Sequence, residues 1–176
     1  MVSIGPYTQA YDMQQQWDFV DLRGKKSKPQ YTENSVMDIL TKTPDFSRFL
    51  QIVKLGKMEN FLDGQYLFST VLIPSDAHIN QKYPPEFFKN MGIGYARKLV
   101  LFATMPRLLD RDFIKFNRSS YYPTKLRTNR MYITTVNDVT QLPGCTSVIH
   151  WNYKVGNGLI HVVDNLLIPS NEWNPL

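Results

Sequence analysis

Apolar positions divide the chain before any motif is sought. From Ser35 they recur at helical spacing: Val36, Ile39 and Leu40 share one face, and Ser35 suits an N-cap with Asp38 three residues on. A second stripe, Phe46, Phe49, Leu50 and Val53, falls at i, i+3, i+4 and i+7. It predicts a helix beginning at Thr43 with Pro44 in its first turn, where the missing N–H costs nothing. Residues 58–62 continue as a short helical turn after Gly56. Residues 66–73 are β-rich and stop at Pro74, after which Ser75 can cap a new short helix. Further helices are expected from Pro84-Pro85 and over 95–101. Beyond Pro106 the pattern shortens to strands and loops, with strands at 131–135, 146–153 and 158–168. Helices first and strands after predict an α+β class, not an alternating parallel sheet.

The last of these runs has an unusual pattern. Leu159, Val163 and Leu167 cannot share one face of a flat strand with Ile160, Val162 and Ile168, so both faces are apolar. Such a strand is central, or its neighbours curve around it. Asn157-Gly158 is read as the turn leading in, with the glycine at positive φ. Asp164, followed by Asn165, interrupts the run, and if buried it must be hydrogen-bonded, most simply to backbone.

Residues 1–33 lack a sustained period of either kind and read as an extended arm, while 171–176 form a short tail. Within the arm, Trp17, Phe19, Val20 and Leu22 make an apolar cluster of a kind that free tails rarely carry, and they are read as an anchor on this domain or on a partner. One domain over 34–170 is left.

Composition narrows the class. The 176 residues are 43% hydrophobic and 13% aromatic, enough to bury a core. Cys145 is the only cysteine, so no intramolecular disulfide and no cysteine-rich zinc site can be built. The first residues show no basic start followed by an apolar run, so synthesis and retention in the cytosol are expected, in a virion if the protein is viral, with secretion requiring a removed leader. No apolar run reaches the ~20 residues of a membrane span. The net charge of +5 is concentrated in Arg97, Lys98, Arg107, Arg111, Lys115, Arg118, Lys125, Arg127 and Arg130. These are read as a basic face, open to nucleic acid, lipid or an acidic protein, or simply solvated.

Catalytic chemistry finds little support. His161 and Asp164 are three apart, which joins side chains on a helix but sends them to opposite faces of a strand. His78 and His150 bring no evident carboxylate or thiolate partner for a metal. Cys145 stands in a Pro143-Gly144 turn, better suited to a small turn or core residue than to a nucleophile, and no phosphate loop or Gly-x-Ser-x-Gly is present. No cofactor is expected. Asn117-Arg118-Ser119 is a glycosylation sequon, which matters only on a secretory route.

Two segments carry a resemblance. Residues 70–79, Thr70-Val71-Leu72-Ile73-Pro74-Ser75-Asp76-Ala77-His78-Ile79, resemble the strand-Pro-Thr/Ser-Asp-x-Ala-Phe box of the fasciclin-like domain family. Residues 157–169, from Asn157-Gly158 through His161 and Asp164 to Pro169, are similar to its closing Asn-Gly-x-Ile-His-x-Ile-Asp-x-x-Leu-x-Pro box. The opening with Pro44-Asp45-Phe46 agrees. The resemblance implies a fasciclin-like fold, in which helices of the N-terminal half pack on a mixed, curved β-sheet wedge. It also implies a non-catalytic module that binds other proteins. One departure stands out: where the family carries a Tyr-His pair associated with adhesion, this chain has Phe102-Ala103. With the arm and the basic face, that favours a structural or cementing subunit of a large assembly, such as the capsid of a large DNA virus. The alternative is the cell-surface or matrix adhesion common in the family.

Overall fold

The fold is given by a computed structural model that describes residues 30–170; Trp17, Phe19, Val20 and Leu22 of the arm, and the tail, lie outside the described residues. Ser35 caps the first helix, its hydroxyl accepting from the Asp38 N–H at 3.0 Å, and α1 runs Val36–Lys42. Asp38 is buried beneath it, so its charge needs partners. It has Lys42 one turn on at 2.9 Å and the Asn34 N–H at 2.7 Å.

Thr43-Pro44 does not open the second helix as expected. Pro44–Phe46 form a 3₁₀ turn, and α2 (Ser47–Leu55) begins after it. The reason lies about thirty residues away, beyond α3 (Glu59–Asp63) and strand β1 (Ser69–Pro74), at the short α4 (Asp76–Ile79). Two carboxylates exchange caps. Asp45 accepts from the Ala77 N–H at 3.1 Å and the Ser75 hydroxyl at 2.6 Å, at the start of α4. Asp76 accepts from the N–H groups of Ser47 (3.1 Å) and Arg48 (2.9 Å), and from the Ser47 hydroxyl, at the start of α2. Ser75 therefore gives its hydroxyl to Asp45 and does not cap its own helix. Burial pushes the Asp76 carboxyl up, against the pull of the hydrogen bonds it accepts.

The helical layer is completed by α5 (Pro85–Lys89) and α6 (Ile93–Phe102). After the short β2 (Thr104–Met105) comes an element the periodicity did not show: α7 (Arg111–Phe116), started by Asp110, which accepts from the Phe113 N–H at 2.8 Å. Its alternating charges read as loop, because only Ile114 is fully buried. Four antiparallel-linked strands follow, β3 (Ser120–Tyr122), β4 (Met131–Val136), β5 (Val139–Leu142) and β6 (Thr146–Val155), and then β7 (Gly158–Val163). Asn137 and Asp138, at φ 51° and 65°, close the β4–β5 hairpin as a two-residue turn.

The seven strands form one mixed sheet in the order β2-β1-β7-β6-β5-β4-β3. β1 and β7 pair in parallel from Ser69 opposite Gly158 to Pro74 opposite Val163, and the other pairings are antiparallel. The ends of the sheet curl together: beyond β3, the Lys125 N–H donates to the Thr104 carbonyl of β2 at 2.8 Å. Two cores result. Helices cover the convex side over Val71, Ile73, Ile160 and Val162, while Leu72, Val163, Met131, Ile133 and Leu142 fill the concave side. Residues 66–68 remain outside β1, with Tyr66 and Phe68 exposed, and β7 ends at Val163, short of the 158–168 run.

Asn157 and Gly158 lock this arrangement. Asn157 accepts from the Val36 N–H at 2.9 Å and donates to the carbonyls of Leu62 (3.0 Å) and Gly64 (2.9 Å), tying α1, the end of α3 and β7 together. Gly158 is not at positive φ; among the described glycines only Gly144 is. It is needed because a Cβ there would lie 2.6 Å from the Ser69 carbonyl oxygen. Since that obstacle is backbone, Gly158→Ala must part β1 from β7. It should lower stability by about 2 kcal/mol, and Asn157→Ala by about 3 kcal/mol through its orphaned buried partners. Both are read by urea unfolding; a loss below half of these values in either variant would remove that residue from its locking role.

Candidate protein interface

The concave core contains polar side chains whose partners explain the motif residues. Thr70, buried in β1, donates its hydroxyl to the Arg107 carbonyl at 2.6 Å and accepts from the Leu109 N–H at 2.8 Å. His161 faces the same side from β7, opposite Leu72. Its Nε2 donates to the Leu109 carbonyl at 2.7 Å, since a carbonyl can only accept, and its Nδ1 accepts from the Asn152 N–H at 3.0 Å. Asn152 sits at φ 62° in an irregularity of β6, and its side chain accepts from the Arg111 N–H at 3.0 Å. Thr70 and His161 thus hold residues 107–111 against the sheet, with the Trp151 ring edge-on to the imidazole at 4.9 Å. Burial holds the His161 pKa down at about 4, despite the bond to Leu109 and the nearby Asp110. The imidazole is neutral and serves as a backbone clamp.

The other motif positions are also internal. Pro74 ends β1, where its lack of N–H is tolerated. Asp164 accepts from the Ser147 N–H at 2.8 Å, while its own N–H donates to the Ser147 carbonyl at 3.1 Å, fastening the end of β7 to the start of β6. Pro169 is buried. Phe102 and Ala103, at the place of the family's Tyr-His pair, are buried at the end of α6. Among the described residues no group of three or more His, Cys, Asp or Glu could hold a metal ion. Cys145 is exposed at φ 56° in the β5–β6 turn, not in a core.

The nine basic residues do not gather on one face. Arg97 and Lys98 lie on α6 in the helical layer, with Arg97 Nε donating to the Gly56 carbonyl at 2.7 Å. The other seven surround the curled end of the sheet. Arg107 lies over the Phe113 ring at 5.5 Å, Arg111 opens α7, and Lys115 pairs with Asp138 at 3.1 Å. Arg118 follows α7 at φ 53°, Lys125 is half-buried, and Arg127 and Arg130 are exposed.

A surface the sequence reading did not single out lies beside them. The helices leave the convex side of β3, β4 and β5 uncovered among the described residues. Tyr121 and Tyr132 are cross-strand partners with ring centroids 4.6 Å apart, and the Arg130 guanidinium covers Tyr121 at 4.8 Å. Val136 and Val139 face each other across the hairpin. These four apolar residues are 60, 42, 62 and 60% exposed, in the order Tyr121, Tyr132, Val136, Val139. The alternation of Met131, Ile133 and Thr135 inward with Tyr132, Thr134 and Val136 outward was legible as a strand, but its outward side reads as ordinary β-propensity until the sheet order is known.

Comparison with known proteins bears on this fold directly. The model of the fasciclin domain matches residues 44–169. The chain belongs to the fasciclin domain family. Among solved structures, a fasciclin (FAS1) domain pair from the insect cell adhesion molecule fasciclin I superposes with a TM-score of 0.64 at 15% identity, over 80% of this chain and 52% of that one. This chain therefore spans about half the length of that two-domain structure, and at such identity the likeness speaks to the fold. No curated protein matches. The fasciclin resemblance drawn from the two boxes, and the curved-sheet fold it implied, are borne out. The boxes are visible in sequence because they build the β1–β7 wall of the fasciclin fold and the polar clamps along it.

The clamp has a pH signature. His161 titrates near 4 when folded and near 6.5 when unfolded, so its stabilisation is complete above 6.5 and is lost as pH falls towards 4. Between pH 7 and pH 5 it should remove about 2 kcal/mol. Urea unfolding of wild type and His161→Gln over that range isolates it: the variant should lack this slope, and equal slopes would contradict a neutral buried clamp.

Proposed function

We propose that this fasciclin domain is a non-catalytic protein-binding module whose contact surface is the uncovered outer side of β3, β4 and β5. The observation that carries this is the Arg130–Tyr121–Tyr132 stack continued by Val136 and Val139. Tyrosine buries a large area at low entropic cost, arginine adds a planar charged group that stacks on it, and both are enriched among the residues that dominate interface energetics. The polar side chains that could suggest chemistry, His161, Asp164, Thr70 and Asn157, are instead engaged in holding backbone. Fasciclin domains are in general modules of interaction and adhesion, which supports the class.

Within that class we favour a structural or cementing subunit of a larger assembly. The family's Tyr-His place is here filled by the buried Phe102 and Ala103, and the exposed aromatic surface lies elsewhere. The capsid named from the sequence gains no support from the fold or the comparisons. Adhesion is the second reading, favoured by the likeness to a cell adhesion molecule. It would place Asn117 on a secretory route, yet the Asn117 side-chain N–H already donates to the Phe113 carbonyl at 2.6 Å.

The decisive variant is Arg130→Glu with Tyr132→Ser. Both side chains are exposed, so stability should change by no more than about 0.5 kcal/mol. Loss of a central aromatic and arginine should weaken partner binding roughly 30-fold or more. Purification from the native source should recover a stoichiometric partner with the wild-type chain and not with the variant. Equal recovery would reject this surface.

A further inference from the structure

A second exposed surface lies at α7, which meets the concave core through Ile114. Phe116, two residues on, is turned about 200° from Ile114. It is 85% exposed, the most exposed large apolar side chain among the described residues. Phe113, one turn back, is 38% exposed, with the Arg107 guanidinium over its ring. Leu108 is 57% exposed beside the buried Leu109, whose backbone Thr70 and His161 hold. Asn152 holds the Arg111 N–H, and Asp110 caps the helix. The polar clamp of the concave core therefore fixes Leu108, Phe113 and Phe116 on an anchored segment with their apolar surface in water. Exposed apolar groups clustered in this way mark a contact.

Charge defines the kind of partner. Residues 107–130 hold seven cations against Asp110 and Asp112, whereas the other described residues, 30–106 and 131–170, hold nine cations and nine carboxylates. The whole excess of the described chain thus sits around α7 and the strand that follows it. Of the acids nearby, Asp110 is engaged in the helix cap and Asp138 is paired with Lys115. Arg107, Arg111 and Arg118 are exposed. The six residues of α7 are about 9 Å long, so arginines at its two ends can reach the plane in which Phe116 lies. An anionic bilayer accepts both kinds of group together: guanidinium at the headgroups, and leucine and phenylalanine at the boundary with the acyl chains. A nucleic acid would satisfy the arginines but leave Leu108, which has no ring to stack on a base, in water.

We propose that Leu108, Phe113 and Phe116, with Arg107, Arg111 and Arg118, form a docking surface for an anionic lipid bilayer. No helix of the described residues is long and apolar enough to cross a membrane, so the attachment is peripheral. A shallow apolar anchor holds firmly only when a basic patch assists it, and both are present on this one segment. The proposal goes beyond the protein-binding face, because α7 packs against the concave core whereas Tyr121 and Tyr132 lie on the outer side of the sheet.

Flotation of the full chain with vesicles tests it. Phosphatidylcholine vesicles with about one third phosphatidylserine should bind the protein roughly tenfold more strongly than phosphatidylcholine alone, and less so as salt rises. Arg111→Gln/Arg118→Gln should weaken binding about 25-fold, about fivefold for each charge removed. Leu108→Ser/Phe116→Ser should weaken it roughly tenfold. These side chains are exposed, so urea unfolding should show both variants as folded as the wild type. Phe116→Trp reads depth: its added emission should shift to the blue on vesicles and be quenched by bromine carried on the acyl chains. Absence of wild-type binding to anionic vesicles at low salt would overturn the proposal. So would unchanged binding in Leu108→Ser/Phe116→Ser, or no added quenching in Phe116→Trp, since either reduces the contact to adsorption by charge. Tighter binding to a DNA or RNA oligonucleotide than to vesicles would overturn it in favour of nucleic acid. None of these results touches the β3–β5 contact face, which partner recovery tests separately.

Discussion

Parallel pairing of β1 with β7 is the constraint on which the molecule depends. Residues 69–74 and 158–163 lie side by side with both faces buried, so they separate and join the helical core and the concave core. A strand buried on both faces cannot leave a polar group to water, and it tolerates no extra atom where its neighbour's backbone comes close. That is why Gly158 faces the Ser69 carbonyl, why Asn157 is spent on three backbone partners, and why a histidine at position 161 is neutral.

The same wall explains why motif residues that look chemical are structural. Thr70 and His161 meet at the Leu109 backbone, and through Asn152 the clamp extends to the first residue of α7. Asp45 and Asp76 do the corresponding work on the helical side, each ending the exposed donors of the other's helix. With these polar groups engaged in holding backbone, the motif residues are accounted for by the fold itself. The surface proposed for partner binding is the outer side of β3, β4 and β5, where Tyr121, Tyr132, Val136 and Val139 are exposed beside Arg130.

Much of the fold was legible because it rests on local rules. The Ser35 cap, the stripe of Phe46, Phe49 and Val53, the strand before Pro74 and the doubly apolar 158–163 run all follow from periodicity and capping, and the two boxes suffice for the family. What local pattern could not supply were relations across the chain. The helix expected at Thr43 starts at Ser47 because Asp76 caps it from afar. Gly158 is required by Ser69, not by its own φ. α7 escaped notice because one buried residue leaves no stripe. The nine basic residues, grouped between positions 97 and 130, are divided by the turn from α6 into β2, and Tyr121 meets Tyr132 and Arg130 only through strand register. Sequence by itself determined most of the helices, the longer strands and the family, since these depend on neighbours a few residues away. Tertiary structure alone decided which side chains face outward together, because that depends on which strands pair and where the covering helices stop.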